Sequence, residues 1–267
     1  MLVSKSITSF SNPEVRNVIA HREKRVRDKM GLILVEGERE IRLALESKLC
    51  PKELFVCLEL LKTRDIQKLM ERKEFSDTHN FDVSRPVFEK IAFGDRAEGV
   101  IALFKKPDWT MGDISLPKNP LIVIIENVEK PGNLGAILRT CDGAGVDAVL
   151  VCDSQTDTFN PNVIRSSLGT IFTLKPRETT NEKALQFLKD KGITVCAALP
   201  DAATGYTHVN FNTPLAIVLG SEQKGLSRFW IEHSQVKMKI PMKGQADSLN
   251  VSATAAILIF EALRQRS

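Results

Sequence analysis

Two hydrophobic patterns alternate along this chain and together predict an α/β protein. Short continuous apolar runs are typical of strands, and apolar residues at helical spacing separate them, as in residues 39–47, 65–72 and about 250–266. Runs as apolar as LIVII indicate strands buried on both faces, so the second half predicts a mostly parallel sheet covered by helices on both sides. The strand-like runs are LILVEG (32–37), ELFVCL (53–58), EGVIALF (98–104), LIVIIEN (121–127), DAVLVC (147–152), GITVCAA (192–198), PLAIVLG (214–220) and VKMKI (236–240).

One stretch breaks both patterns. Residues 105–120, KKPDWTMGDISLPKNP, carry three prolines and a glycine. Such a segment favours a connection between domains. We therefore predict a small N-terminal α/β domain at 1–105, a linker at 106–119 and a larger C-terminal domain at 120–267.

The distribution of charge along the chain says more about a nucleic-acid partner than the net charge does. The 37 Lys and Arg residues against 33 Asp and Glu leave a net charge of +4, too small by itself to indicate a nucleic-acid partner. Residues 12–30, NPEVRNVIAHREKRVRDKM, predict a single basic helix that begins at Asn12–Pro13 and ends at Gly31. A phosphate-facing surface and a solvated helix face both fit this helix. Its bases are Arg16, Arg22, Lys24, Arg25, Arg27 and Lys29.

The cysteines and the longest apolar runs exclude several classes of protein. The five cysteines are odd in number, scattered and without a C-x-x-C pair, so we expect reduced thiols and no metal site. No apolar run approaches the roughly 20 residues that a membrane span needs, and the N-terminus lacks a signal-peptide core. We expect a cytoplasmic protein.

Three segments place polar residues where a strand or loop leads into a helix. The first is PGNLGAILRT (131–140), which lacks the glycine spacing of a dinucleotide site and the Gly-Lys-Ser/Thr ending of a P-loop. The second is LGSEQKGLS (219–227), at the carboxyl end of a predicted buried strand, where open α/β sheets bind ligands. The third is IPMKGQADSLNVSATAAILIFEALRQR (240–266), a polar loop before a long helix whose buried face we predict at Val251, Ala255, Leu258, Ile259 and Ala262.

Each segment on its own has an ordinary structural explanation as well. Asn133 fits a helix cap, and Arg139 fits a surface pair with Asp142. Glu222 fits a first-turn acid that complements a helix dipole. Asp247, Ser248 or Asn250 could cap the last helix.

Together the three segments resemble, in order and in wording, the signature motifs of the SpoU (TrmH) family of RNA 2′-O-ribose methyltransferases. The resemblance covers residues 121–266, and KMGLILVEGEREI (29–41) is similar to the family's N-terminal substrate-binding domain. It implies a catalytic domain with a C-terminal trefoil knot, S-adenosylmethionine as methyl donor, no metal, and a homodimer with its active site near the subunit interface. The sequence departs from the family pattern at Gln223, Lys224 and Asp247, which puts RNA contacts in doubt more than activity.

The resemblance also implies the site residues. Arg139 is expected to hold the RNA phosphate beside the target ribose or to act as general base, although a guanidinium with a pKa above about 12 is costly to deprotonate. Gly220 is expected to lack a Cβ because a Cβ would intrude on the cofactor. The expected catalytic positions are Asn133, Arg139, Glu222, Ser248 and Asn250, and the expected cofactor-binding positions are Leu219, Gly220, Ile240, Met242 and Leu249.

The sequence alone does not choose the RNA substrate. The extra N-terminal domain favours ribosomal RNA, and transfer RNA remains an alternative. A non-catalytic RNA-binding or ribosome-assembly factor would be favoured by loss of Arg139, Glu222 or Asn250, and all three are present. An ordinary nucleotide-binding enzyme would need a phosphate fingerprint, which none of the three segments carries.

Overall fold

The computed structural model describes residues 5–61, 68, 71–93 and 98–267, which form two compact units. The first unit contains the chain up to Asp108 together with Phe159–Thr173. The second contains Trp109–Thr158 and Leu174–Ser267. Among the described residues, no helix has the length and apolar character that crossing a bilayer requires.

The elements follow one another in this order. The strands are β1 Lys5–Ile7, β2 Leu32–Glu36, β3 Pro51–Val56, β4 His79–Val83, β5 Val100–Lys105, β6 Leu121–Glu126, β7 Ala148–Cys152, β8 Arg177–Thr179, β9 Thr194–Ala198, β10 Thr204–Gly205, β11 Leu215–Leu219 and β12 Val236–Lys239. The α-helices among the described residues are α1 Pro13–Ala20, α2 Lys24–Met30, α3 Glu38–Glu46, α4 Arg85–Ile91, α5 Pro131–Gly143, α6 Pro161–Ser166, α7 Ile171–Leu174, α8 Asn181–Asp190, α9 Arg228–His233 and α10 Val251–Arg266. Short 3₁₀ turns lie at Leu58–Leu60, Lys73–Phe75, Met111–Asp113 and Tyr206–His208.

All eight strand-like runs of the sequence form strands, and the helices expected near 39–47 and 250–266 are present, so these predictions are confirmed. Four strands were missed, β1, β4, β8 and β10, because they are short or carry polar residues that hide the apolar pattern. Most of the helix expected at 65–72 falls outside the described residues.

The first unit contains a mixed sheet in the order β1-β4-β3-β5-β2, in which β2 and β3 run antiparallel to β5. Its core includes Phe55, Phe88 and Leu103. Although Phe159–Thr173 follows β7 in sequence, it groups with this unit: Arg165 donates to the carbonyl of Phe93 at 2.6 Å, and Ser47 donates to that of Phe172 at 2.7 Å.

The basic segment at 12–30 forms two helices, so the prediction of one helix was wrong. Asn12 caps α1 by accepting from the Glu14 amide at 2.8 Å, and Gly31 ends α2 with φ of 63°, as expected. Arg27 is buried on α2. It donates to the carbonyls of His21 at 2.7 Å and Arg22 at 2.6 Å, in the turn between the two helices. These bonds satisfy carbonyls at the end of α1, where the chain turns.

Two of the six predicted phosphate-facing bases are therefore structural. Arg27 is buried on α2 and bonds the turn, and Arg22 donates to the carbonyls of Ile91 at 3.0 Å and Ala92 at 2.8 Å, at the end of α4. Lys24 pairs with Asp28 at the surface. Arg16, Arg25 and Lys29 are exposed, which reduces the basic surface to a smaller set than the sequence suggested.

The second unit is built on a parallel sheet in the order β10-β12-β9-β11-β6-β7-β8, as predicted for this half of the chain. β6 and β11 are adjacent and fully buried, and Leu219 lies opposite Ile125. The loops that follow these strands consequently begin side by side. They carry the first and second motif segments.

The last helix packs along α5 and β11. Its five predicted inward positions are its five buried residues, so that prediction is confirmed. Arg266 holds its end by donating to the carbonyls of Asn119 at 2.8 Å, Phe211 at 2.8 Å and Thr213 at 2.6 Å. At its other end α10 is capped by Asn250, which contacts Asn133 just after β6.

Most of the segment predicted as a linker lies in the second unit. Met111, Ile114 and Leu116 pack against the core of that unit. Arg177 donates to the carbonyl of Thr110 at 2.7 Å, which fixes the start of the segment. Its one regular element is a 3₁₀ turn at Met111–Asp113, and its apolar side chains contribute to packing.

Candidate functional site

A chain of hydrogen bonds joins one residue from each motif segment. The side-chain amide of Asn133, in the first turn of α5, donates to Glu222 Oε1. Asn250 Nδ2 in turn donates to Asn133 Oδ1 at 3.3 Å. Three of the five expected catalytic residues thus meet at one place, although they are far apart in sequence.

Asn250 and Glu222 each have a second feature that matters for the site. Asn250 caps α10, since its Oδ1 accepts from the Ser252 amide at 2.9 Å, so the cap and the site share one side chain. Glu222 Oε2 is buried and has no hydrogen-bond partner within the described residues. A buried carboxylate oxygen without a donor is costly, which makes it an acceptor for a donor brought by a ligand.

Arg139 and Ser248 lie outside this hydrogen-bond chain. Arg139 is exposed on α5, and across the described residues its guanidinium has neither a hydrogen bond nor an ion pair. Gly132, Ala136 and Gly143 share its helix face at three- and four-residue spacing, so small neighbours leave the guanidinium open to solvent. Ser248 belongs to the loop at 241–250, every residue of which is exposed.

A cavity of about 420 Å³ opens beside the hydrogen-bond chain, in the second unit. Its volume is within the range of small-molecule sites. Glu222 and Ser248 line it, as do Met242 and Leu249, whose apolar side chains remain 36% and 37% exposed. All five expected cofactor-binding residues are among its lining: Leu219, Gly220, Ile240, Met242 and Leu249.

One wall of this cavity was not predicted from the sequence. Ala198, Leu199 and Pro200, at and just after the end of β9, line the cavity as well. β9 is the neighbour of β11, so its carboxyl end opens at the same edge of the sheet. The rule that ligands bind at the carboxyl ends of parallel strands would have found this wall, had the strand order been known.

The structure supplies a reason for glycine at Gly220 in addition to the one expected. Residues 221–225 form a tight turn in which the Ser221 amide donates to Gly225 O at 3.1 Å and the Gly225 amide donates to Ser221 O at 3.0 Å. A Cβ on Gly220 would overlap the backbone of Gly225 and Leu226. The chain's own turn therefore excludes a side chain here, before any cofactor is considered.

A buried carboxylate that the sequence reading did not single out supports the same turn. Glu126, 3% exposed at the end of β6, accepts from Asn181 Nδ2 at 2.8 Å and from the Ser227 amide at 2.7 Å. Trp230 Nε1 donates to Asn181 Oδ1 at 2.6 Å and completes the network. The only sequence signal was an acid at the end of a continuous apolar strand.

The thiols of the second unit are buried and unsuited to chemistry. Burial raises the pKa of Cys141, Cys152 and Cys196, for Cys196 to about 12, so these thiols stay protonated near neutral pH. Within the described parts of the chain, no group of three or more His, Cys, Asp or Glu side chains is arranged to hold a metal ion.

Comparisons with known proteins match both parts of the chain. Residues 120–260 match the SpoU rRNA methylase family, and residues 12–102 match the MRM3-like substrate-binding domain. The Bacillus subtilis (strain 168) protein 23S rRNA (guanosine(2553)-2′-O)-methyltransferase RlmP is 27% identical over 256 residues, which cover 96% of this chain and 98% of that protein.

Two solved structures resemble the whole chain. A crystal structure of an RNA 2′-O ribose methyltransferase is 37% identical, has a TM-score of 0.87, and covers 98% of this chain and 99% of its own. The AdoMet-bound rRNA methyltransferase from Sinorhizobium meliloti is 25% identical, has a TM-score of 0.89, and covers 99% of this chain and 98% of its own.

Proposed function

The chain belongs to the SpoU rRNA methylase family, and on that premise we propose that it transfers a methyl group from S-adenosylmethionine to a ribose 2′-hydroxyl of ribosomal RNA. This proposal rests on one observation: hydrogen bonds join Asn133, Glu222 and Asn250 beside the cavity. Methyl transfer needs positioning of a hydroxyl and a donor more than it needs a reactive side chain.

The cavity is the proposed cofactor site. S-adenosylmethionine supplies an electrophilic methyl group carried on a sulfonium. Apolar side chains at Leu219, Ile240 and Leu249 fit an adenosine ring, and Glu222 and Gln223 of the 221–225 turn line the cavity with polar groups. Met242 and Gly220 complete the proposed set.

Arg139 is proposed to hold the RNA. An exposed guanidinium without a partner in the described residues is free to bind a phosphate in bidentate fashion and to orient the adjacent ribose. This role requires no deprotonation, so we prefer it to the general-base alternative. Glu222 and Asn133 are proposed to position the motif loops, and Ser248 to contact substrate or donor from the exposed loop.

The family also supports a trefoil knot and a homodimer, which we propose for this chain. The start of α10 is linked to α5 through Asn250 and Asn133, an arrangement compatible with a threaded C-terminus. Phe260, on the other side of α10 from the core, is 48% exposed and suits a subunit contact. Light scattering should give a dimer, and a monomer of 29.7 kDa at micromolar concentration would contradict this part of the proposal.

The first unit is proposed to choose the RNA. Residues 12–102 match a substrate-binding domain, and Arg16, Arg25 and Lys29 are exposed there. We retain the division into a domain at 1–105, a linker at 106–119 and a methyltransferase domain at 120–267, and we propose a cytoplasmic location. A point variant tests this role better than truncation, since residues 159–173 pack in the first unit and would lose their neighbours.

The decisive experiment is a map of 2′-O-methylated nucleotides in ribosomal and transfer RNA from cells with and without this protein. The proposal predicts one ribosomal nucleotide that loses its methyl group without the protein and regains it with purified protein and S-adenosylmethionine. A change confined to transfer RNA would favour the transfer RNA alternative. An unchanged map, with RNA binding intact, would favour a non-catalytic RNA-binding or ribosome-assembly factor.

A further inference from the structure

A phenylalanine stands exposed at the tip of the turn between β1 and α1. Phe10 is 48% exposed, which leaves a large part of its ring in contact with solvent. Five other phenylalanines of the same unit are at most 5% exposed: Phe55, Phe75, Phe81, Phe88 and Phe104. The unit therefore buries aromatic rings readily elsewhere, and the exposure of Phe10 is specific to this turn.

The turn that carries Phe10 is held by several hydrogen bonds. The Asn12 amide donates to Ser9 O at 3.2 Å, and the hydroxyls of Ser9 and Ser11 lie 2.9 Å apart. Asn12 is at the same time the cap of α1 through its bond from Glu14. The position of Phe10 is thus set by the start of a helix, so a ligand that contacts the ring meets an ordered backbone.

A lysine lies over the Phe10 ring. The Nζ of Lys90, in the last turn of α4, is 4.9 Å from the ring centroid, within the range of a cation–π contact. Its sequence neighbour Glu89 pairs instead with Arg85 at 2.8 Å, and in the described part of the chain Lys90 has no ion pair. We call Phe10 and Lys90 the Phe10 platform.

We propose that the Phe10 platform binds an unpaired nucleobase of the substrate RNA, with Phe10 stacking on the base and Lys90 contacting a neighbouring phosphate. The inference rests on the proposed function. Proteins read single-stranded RNA by stacking bases on aromatic rings beside cations. A single ring flanked by serines and a lysine lacks the contiguous apolar area of a protein interface, so RNA suits it better.

Three substitutions at Phe10 separate stacking from simple apolar contact. Phe10→Ala removes the ring, Phe10→Leu keeps apolar bulk without an aromatic face, and Phe10→Trp enlarges the face. Binding of fluorescein-labelled decauridylate to the full-length protein should weaken about tenfold in the first two variants and be retained in Phe10→Trp, given the usual strength of one stacked base. Leu58→Ala, which truncates another apolar side chain of this unit that is 53% exposed, should bind as the wild type does.

The role of Lys90 is tested by the salt dependence of RNA affinity. Lys90→Ala should make the dependence of decauridylate affinity on salt shallower by about 0.7 units of slope, because one phosphate contact with a single strand is lost. Lys90→Arg should restore the slope. Thermal melting of each variant verifies that the fold is intact, and an equal loss of affinity in Phe10→Trp and Phe10→Ala would overturn the stacking role.

Catalysis distinguishes failure of the platform from failure of the proposed function. With a 23S rRNA transcript as acceptor, Phe10→Ala should raise KM for RNA about tenfold and leave kcat and S-adenosylmethionine affinity unchanged. If the wild type methylates the transcript and Phe10→Ala does so with unchanged KM, the RNA-binding role of the Phe10 platform is rejected, while the proposed function is retained. If the wild type methylates neither ribosomal nor transfer RNA, the proposed function itself fails.

Discussion

Asn133 Nδ2 donates a hydrogen bond to Glu222 Oε1, which joins the first turn of α5 to the turn after β11, 89 residues away in sequence. The same amide accepts from Asn250, so both of its polar atoms are used and its orientation is determined by its partners. One asparagine thereby ties the helix after β6, the turn after β11 and the start of α10 together. The geometry of the proposed site depends on this side chain.

Asn133→Asp is expected to impair methylation in a pH-dependent manner. The substitution replaces a donor to Glu222 with a second carboxylate, and two adjacent carboxylates raise the pKa of one of them. Activity relative to the wild type should be low at pH 8 and recover partly toward pH 6, where a shared proton restores the hydrogen bond. Methyl transfer from labelled S-adenosylmethionine measures this, and Asn133→Ala provides a control without a titrating group. A variant-to-wild-type ratio that is flat from pH 6 to 8 would contradict the prediction.

Arg139→Ala should abolish methylation while S-adenosylmethionine affinity remains nearly that of the wild type. The guanidinium is exposed on α5 and is absent from the lining of the cavity, so its loss should affect RNA and spare the donor. Calorimetry with S-adenosylmethionine and a methylation assay measure the two effects separately. Arg139→Lys keeps the charge without the planar fork and should recover only part of the activity. An active Arg139→Ala protein would remove Arg139 from the proposed mechanism.

Gly220→Ala should destabilise the second unit and eliminate cofactor binding. The added Cβ would overlap the backbone of Gly225 and Leu226, which cannot yield as a flexible side chain could. Overpacking of this kind costs on the order of 3 kcal/mol. The matched control is Gly143→Ala, where a Cβ meets nothing within 4 Å and the helix should be neutral or gain up to about 1 kcal/mol. Urea unfolding compares the two, and equal stabilities would show that the turn can relax.

Glu36→Gln should change how stability depends on pH. Burial at the end of β2 raises the pKa of Glu36 to about 7, against the opposing effects of the Phe93 amide and of Arg165 and Arg22. A carboxyl whose folded pKa exceeds the unfolded value of 4.5 leaves stability intact below 4.5 and lowers it as the pH rises to about 7.

The neutral amide of the variant avoids that loss. The unfolding free energy of Glu36→Gln minus that of the wild type should therefore grow by about 2 kcal/mol between pH 5 and pH 8. This value follows because one pKa unit is worth about 1.4 kcal/mol and because solvent around the partly solvated carboxyl reduces the full effect. Urea titrations across this range measure the difference. Exposed Glu89→Gln is the control and should give a difference independent of pH. A constant difference for Glu36→Gln would show that Glu36 ionises normally.

The sequence by itself determined eight of the twelve described strands and the long last helix of this protein. Runs such as LIVII and LAIVL are apolar along their whole length, and only a strand buried on both faces makes use of that pattern. The buried face of α10 could be read for the same reason, because its five inward residues recur at helical spacing. The motif segments also revealed which residues to examine, including Asn133, Glu222 and Asn250.

Only the tertiary structure decided what these residues contact. The order of strands brings the carboxyl ends of β6, β9 and β11 to one edge, and no local pattern encodes which strands are neighbours. The overlap that requires glycine at Gly220 and the buried network around Glu126 depend on atoms distant in sequence or folded back in a turn. The basic segment at 12–30 divides into two helices because Arg27 donates to the carbonyls of His21 and Arg22 inside the fold. Local periodicity arises from burial of one face, whereas contacts between elements arise from how those faces pack together.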